Sequence, residues 1–312
     1  ILDRIVFIIN EHKDDFLDYI VYLVYRFFEF LFFIFPKILL KTILHFIAYL
    51  GYLFAKKHNR ISKANLDLSF GETKTEEEKK RINKSSLLKI VYNLYEFITL
   101  QRATLDEMEQ KVIVENEAYI VKLLEENKRV ITISGHYGCW EFSLPYFAMK
   151  YNPLTIISRK LNNRYINDVF MKARHRQNLE MCEKDGAAKC MVKSLRRGRV
   201  VALTIDQSIN SKQSVDVNFF GHRASQVDSP VRLASKLDAV ILPLFTLREG
   251  FEKHKIIFKE PIKVKQNMTE EEIKKLSQKL SDVLEEQVRK KPEDWFWQHR
   301  RWKLYYPEIY KK

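Results

Sequence analysis

The sequence predicts an α/β domain, an αβα sandwich behind one or two hydrophobic N-terminal helices. Three observations predict it. From residue 130 onward, short apolar runs alternate with segments of helical period, the pattern of βαβ units and a sheet covered by helices. Residues 16–54 form an aromatic, apolar block unlike the rest of the chain. The 312 residues, 46% hydrophobic and 30% charged, are enough to bury a full core and exclude a disordered chain. With no internal repeat or low-complexity linker, the economical division is a membrane-associated arm over 1–57 and one folded domain over 58–312.

The arm reads as two hydrophobic segments broken at Pro36-Lys37. A spanning helix needs about 20 mainly apolar residues. Arg26 and Glu29 burden the first segment, although three-residue spacing lets them pair on one helix face. The second carries only Lys41 and His45, with Lys41 close enough to its start to snorkel, so it is the better span. The apolar stretch is too long for a signal peptide, and no small-residue cleavage site follows it. A pair of buried helices in a soluble protein is the alternative. The basic cluster KKHNRISK at 56–63 is of the kind that stays cytoplasmic, so the inner membrane is the expected address, with the domain facing the cytoplasm.

Beyond the arm, Thr75 and three glutamates open an amphipathic helix over 75–101 striped by Ile82, Leu87, Leu88, Val91, Leu94, Tyr95 and Ile98. Strands are expected at 130–134, 155–158, 200–205 and 239–247, and helices at 144–150, 165–177, 188–197, 229–236 and 268–290.

The net charge of +14 attracts anionic partners: nucleic acid, acidic lipid or an acidic carrier protein. Lys193, Arg196, Arg197 and Arg199 would suit nucleic acid, the alternative from another class. No nucleic-acid-binding signature accompanies them, and a hydrophobic arm does not serve that role. Cys139, Cys182 and Cys190 lack CxxC spacing and disulfide-framework density, so free thiols in a reducing compartment are expected. No Cys/His cluster has metal-ligand spacing, and neither a metal nor a cofactor is expected.

The most informative run is Ser134-Gly135-His136-Tyr137-Gly138-Cys139-Trp140-Glu141, directly after the apolar strand VITIS. Gly135 and Gly138 flank the histidine where a strand-to-helix turn is expected, letting backbone approach a ligand. The helix start beyond offers N–H groups for a developing oxyanion. Acyl transfer from a thioester to an alcohol needs a base for the hydroxyl proton and a carboxylate to orient it. His136 and Glu141 fit those roles. On a continuous helix they would stand about 140° apart, so a turn must bring them together.

A bare H-x4-E spacing is common, but the extended GHYGCWE run resembles the lipid A biosynthesis late acyltransferases, the lauroyl and myristoyl transferases, whose hallmark is H-x4-D/E in a GHYGNWE-like context. The similarity runs from about Arg60 to Lys303. Asn65-Leu66 to Phe70, Ser158-Arg159 with Asn162-Asn163, Thr204-Ile205-Asp206-Gln207, Phe219-Phe220-Gly221, Arg232-Leu233-Ala234 with Pro243, and Trp297 to Lys303 follow the family's order. Cys139 stands where Asn is usual and Trp302 where Phe is usual. A thiol three residues from His136 serves better as small filler than as an acyl carrier.

The resemblance implies a glycerolipid-acyltransferase-like αβα fold with His136 as base, Glu141 orienting it and Arg159 holding a phosphate. Asp206, Gln207, Gly135 and Gly138 would line the substrate site. It further implies an acyl carrier protein thioester as donor, a phosphorylated glucosamine lipid A precursor as acceptor and the membrane as partner, with no nucleic acid. Another phospholipid or glycolipid acceptor is the alternative. Trp295, Trp297, His299, Arg300, Arg301 and Trp302 suit either a membrane interface or a packed terminal helix.

Overall fold

The computed structural model describes residues 2–183, 185–210 and 214–311, and side-chain environments from residue 15. Helix α1, Leu2–Ile34, stops before Pro36, and α2, Lys37–Phe54, starts immediately after it, where proline's missing N–H and fixed φ suit a helix start. Arg26 and Glu29 do pair, at 2.7 Å. Among the described residues α2 is the one helix long and apolar enough to cross a membrane. Leu40 and Leu44 of α2 pack on Tyr92 and Tyr95 of α4, Glu76–Thr99. The other face is open: Ile38 is 83% exposed, Phe46 59% and Phe54 77%. Between these helices lies α3, Lys56–Phe70, which carries the basic cluster. Thr75 and Glu78 cap α4 reciprocally, satisfying two helix-start donors.

The domain alternates as expected: α5 (Leu105–Glu109), β1 (Val112–Glu115), α6 (Ala118–Glu125), β2 (Arg129–Ser134), α7 (Trp140–Lys150), β3 (Leu154–Ile157), α8 (Arg164–Arg176), β4 (Leu179–Cys182), α9 (Ala187–Arg196), β5 (Val200–Thr204). It continues with β6 (Ser214–Phe219), β7 (His222–Val227), α10 (Ser229–Leu237), β8 (Ala239–Gly250), β9 (Lys253–Phe258) and α11 (Glu270–Lys290). Seven strands form one sheet in the order β1-β9-β8-β2-β5-β3-β4, and β6 with β7 form a separate hairpin. All neighbours in the large sheet are parallel except β8 and β9.

Both sheet faces are covered, which is why the central strands read as unbroken apolar runs. Ile131, Ile133, Val201, Leu203, Ile241 and Phe245 point into a cluster with Leu195 of α9, Val231 of α10 and Leu284 of α11. Val130, Val200, Val240, Leu242 and Leu244 point the other way, onto Ile120 of α6 and Phe142 and Tyr146 of α7.

Two expectations are corrected. Cys182 and Cys190 are not free thiols but a disulfide, their Cα atoms 5.9 Å apart; β4 and α9 bring together cysteines whose spacing gave no sign of pairing. Cys139 is the buried free thiol, and burial pushes its pKa well up, which suits filler and not a nucleophile. The C-terminal tryptophans form neither a helix nor an interface belt: Trp295, Trp297 and Trp302 are fully buried among turns and short 3₁₀ segments.

Candidate active site

The site grows from the register of two neighbouring parallel strands. Ser134 of β2 pairs with Thr204 of β5, and the Ile205 N–H still donates to Ser134 O at 2.9 Å. Each chain then runs two residues further, to His136 on one side and Asp206 on the other, at the carboxyl edge of the sheet where ligands of such folds collect. His136 Nδ1 lies 2.8 Å from Asp206 Oδ1, and the His136 backbone N–H donates to Oδ2 at 2.7 Å. The Trp295 indole N–H donates to the same Oδ2 at 3.0 Å. Three donors thus fix a carboxylate that is wholly buried, whereas the His136 side chain retains 22% exposure.

An ionised carboxylate can only accept, so Nδ1 carries a proton and, in the neutral ring, Nε2 holds the free lone pair. The Gln207 amide nitrogen faces Nε2 at 3.4 Å. Burial by itself would lower the His136 pKa, but the Asp206 charge and hydrogen bond, helped by Glu141, outweigh it and raise the pKa. Burial likewise works to raise that of Asp206, and the His136 charge and hydrogen bond, with His299, drive it well below the ordinary carboxylate range. Both shifts describe an imidazole whose protonated form is stabilised in place.

The sequence reading gave Glu141 the orienting role. In the structure Asp206 holds Nδ1, and Glu141 instead binds the buried Arg174 of α8 at 2.8 Å. The reason is geometric: α7 begins at Trp140, so Glu141 points from the helix's first turn toward α8, while the strand register has already set Asp206 beside the ring. Glu141 still contributes its negative charge to the imidazole. Breaking the pair strands a buried guanidinium, costly when fully desolvated and here moderated by the 23% exposure of Glu141. Glu141→Gln is therefore expected to lower stability by about 2 kcal/mol, read as a fall in Tm.

The two glycines serve the turn. A Cβ on Gly135 would come 2.9 Å from Leu284 Cδ1 and 3.1 Å from Asp206 Oδ2. Gly138 has φ of +58°, and a Cβ there would lie 1.7 Å from Thr246 O. Its N–H donates to Asp294 O at 2.6 Å, so that amide is engaged within the protein. The Tyr137 and Cys139 amides are also taken, by Gly135 O and Thr246 O. That leaves the Trp140 and Glu141 amides, which as the first two of α7 have no acceptor within the helix. Gly138→Ala is expected to destabilise the protein by about 3 kcal/mol or more through clash and strain, seen as loss of the folded form or a large drop in Tm.

Trp140 and Phe296 flank the open side of the imidazole, with ring centroids 5.5 and 6.4 Å from it, forming an apolar wall. Phe296 is tied in by its N–H, which donates to His136 O at 3.0 Å. His299 sits behind Asp206, its Nδ1 2.5 Å from Phe296 O and its Nε2 3.1 Å from Asp206 O. Burial lowers its pKa, and the neutral ring donates from one of these two nitrogens. Arg159 follows β3 at the same sheet edge, two strands from β2, with its guanidinium exposed and without an ion pair among the described residues. Sequence reasoning missed the parts of Trp295 and Arg174. The tryptophan is 89 residues from Asp206 in sequence, and no local pattern marks it.

The family model described as bacterial lipid A biosynthesis acyltransferase matches residues 10–304, nearly the full length. The chain belongs to the bacterial lipid A biosynthesis acyltransferase family. That membership bears out the resemblance carried by the GHYGCWE run and the motifs after it. Similarity to curated acyltransferases is distant. A phosphatidylinositol mannoside acyltransferase of Mycobacterium tuberculosis is 21% identical over 175 residues, 54% of this chain and 52% of that protein. One of Mycolicibacterium smegmatis is 19% identical over 183 residues, 57% and 58% of the two chains. The lipid A acyltransferase-family chain thus spans little more than half the length of these curated relatives. Among solved structures, the 1-acyl-sn-glycerophosphate acyltransferase PlsC of Thermotoga maritima aligns over 81% of this chain and 97% of its own, with 14% identity and a TM-score of 0.39.

Proposed function

We propose that this family member transfers a fatty acyl group from the thioester of an acyl carrier protein to a hydroxyl of a phosphorylated glucosamine lipid, a lipid A precursor. The observation that carries the reading is the buried Asp206 holding His136 with its Nε2 lone pair outward. The acceptor hydroxyl gives its proton to Nε2 as its oxygen attacks the thioester carbonyl carbon. The resulting oxyanion accepts from the Trp140 and Glu141 amides. Its collapse breaks the C–S bond, and the imidazolium returns the proton to the departing thiolate. Asp206 stabilises the imidazolium between those steps without taking the proton. Trp140 and Phe296 keep water from the reacting carbonyl, and Arg159 meets a phosphate of the acceptor.

By this reading α2 crosses the inner membrane and the exposed aromatics of α1 lie against lipid, with the catalytic domain facing the cytoplasm. A mannosylated phosphoinositide or related glycolipid acceptor is the second reading, favoured by the names of the mycobacterial relatives. Supplying membranes that contain the full chain with labelled acyl carrier protein, and offering each acceptor in turn, separates the two by mass spectrometry of the lipid products. Label in the glucosamine lipid supports the first reading. Label in the phosphoinositide alone overturns it in favour of the second, and label in neither removes both.

A further inference from the structure

A basic cavity of about 960 Å³ lies among α1, the end of α4 and α8, lined by Arg26, Glu29, Arg102, Lys172, His175 and Arg176. Four permanent cations face one carboxylate there. Glu29, its side chain only 3% exposed, forms ion pairs with Arg26 at 2.7 Å and with Arg102 Nε at 3.2 Å, and Arg102 Nη2 donates to its Oε2 at 3.4 Å, so one carboxylate positions two guanidinium groups beside the cavity and offsets the charge of one. Arg102 also rests over the Phe33 ring, 5.6 Å from its centroid. Arg176 is steadied by the Gln101 carbonyl at 3.0 Å. Lys172 and His175 are exposed and have no ion pair among the described residues. Guanidinium groups held ready, with a charge excess left uncompensated, are the arrangement that receives a phosphate.

The surroundings say what bears that phosphate. Beside the cavity, α1 turns Phe27, Phe30 and Phe33 outward at 58%, 60% and 54% exposure, an apolar face suited to acyl chains. The volume far exceeds one phosphate ion. On α8 successive side chains turn by about 100°, so Arg174, which binds Glu141 at the active site, faces away from Lys172 and Arg176. We infer that this cavity binds the head group of an anionic glycerophospholipid, its chains along α1, at a site separate from the one beside His136. A zwitterionic head group fits poorly, because its own cation meets the same excess charge.

The test is native mass spectrometry of the full chain in a nonionic detergent, titrated with phosphatidylglycerol, phosphatidylcholine or inorganic phosphate. A one-to-one phosphatidylglycerol adduct is expected, weakened at least about tenfold in Arg102→Gln/Lys172→Gln. It should change less than about twofold in Lys56→Gln/Lys57→Gln, which loses the same charge from exposed positions elsewhere. Arg102→Lys/Lys172→Arg should keep the adduct, and so should His136→Ala, whose failure to transfer acyl groups is a separate matter. Equal weakening in both charge-loss pairs overturns the site as non-specific attraction. Equal binding of phosphatidylcholine, or displacement by inorganic phosphate at equal concentration, overturns the anionic lipid as its occupant.

Discussion

His136→Ala will lower acyl transfer by about 10² to 10⁴ at saturating substrates, the typical worth of a positioned general base, while leaving Tm within a few degrees of the parent. The imidazole is partly exposed, so its removal opens no sealed core cavity. The loss of its hydrogen bond to Asp206 is softened because the His136 backbone N–H and the Trp295 indole still satisfy that carboxylate. Single-turnover product formation with labelled donor measures the chemical step, and thermal unfolding of the same preparation separates a dead enzyme from an unfolded one. Undiminished turnover would remove the base from the mechanism.

Asp206→Asn is expected to cost a comparable factor, about 10² to 10⁴, by a different route. The backbone N–H of His136 and the indole of Trp295 both donate to Oδ2, so the amide oxygen of an asparagine must occupy that position. Its NH₂ group then faces Nδ1 as a donor, and Nδ1 has to accept. The ring proton moves to Nε2, and the lone pair that should receive the hydroxyl proton points backwards. Activity falls although the side chain is nearly isosteric.

The pair also has a pH signature. His136 titrates above its ordinary 6.5, and the base must be neutral, so kcat/KM rises with pH through that raised value. For stability the signs run in opposite directions. The contribution of His136 is full below 6.5 and is lost as pH rises through its raised pKa. That of Asp206 is full above 3.8 and is lost as pH falls toward its depressed one. The ion pair therefore stabilises most between those limits, and thermal unfolding against pH should show Asp206→Asn losing most Tm there.

The strands and helices that build the scaffold were legible because each advertises its burial. β2, β5 and β8 are buried on both faces and read as apolar runs. α4 and α11 carry a stripe, a capping threonine and acidic first turns. The observed ends lie within a few residues of the expected ones, except that α7 begins at Trp140 and not at 144. The short edge strands β1 and β4, of four residues each, offered too little pattern, and β9 was hidden by its charged alternation. The Phe219-Phe220-Gly221 segment was legible as a family motif but not as a hairpin. Its reason is conformational: Phe220 and Gly221 have φ of +55° and +78°, the mirror-image turn that matches strand twist.

Within the site, the histidine was legible and its true carboxylate partner was not. His136 and Glu141 are five residues apart and invite pairing, whereas Asp206 is 70 residues away. Only the β2–β5 register makes Asp206 adjacent, and register is a tertiary property that a single sequence states weakly. The same limit hid Trp295. Arg174 could be read as basic but not as the partner of Glu141, because that depends on how α8 lies across the start of α7.

The most direct test is the pH dependence of kcat/KM for the parent, Asp206→Asn and Glu141→Gln on one lipid acceptor. If Asp206 backs the base, the ascending limb of the parent lies above pH 6.5, moves to lower pH in the residual activity of Asp206→Asn, and moves much less in Glu141→Gln. A limb that stays in place in Asp206→Asn but shifts strongly in Glu141→Gln would contradict the assignment.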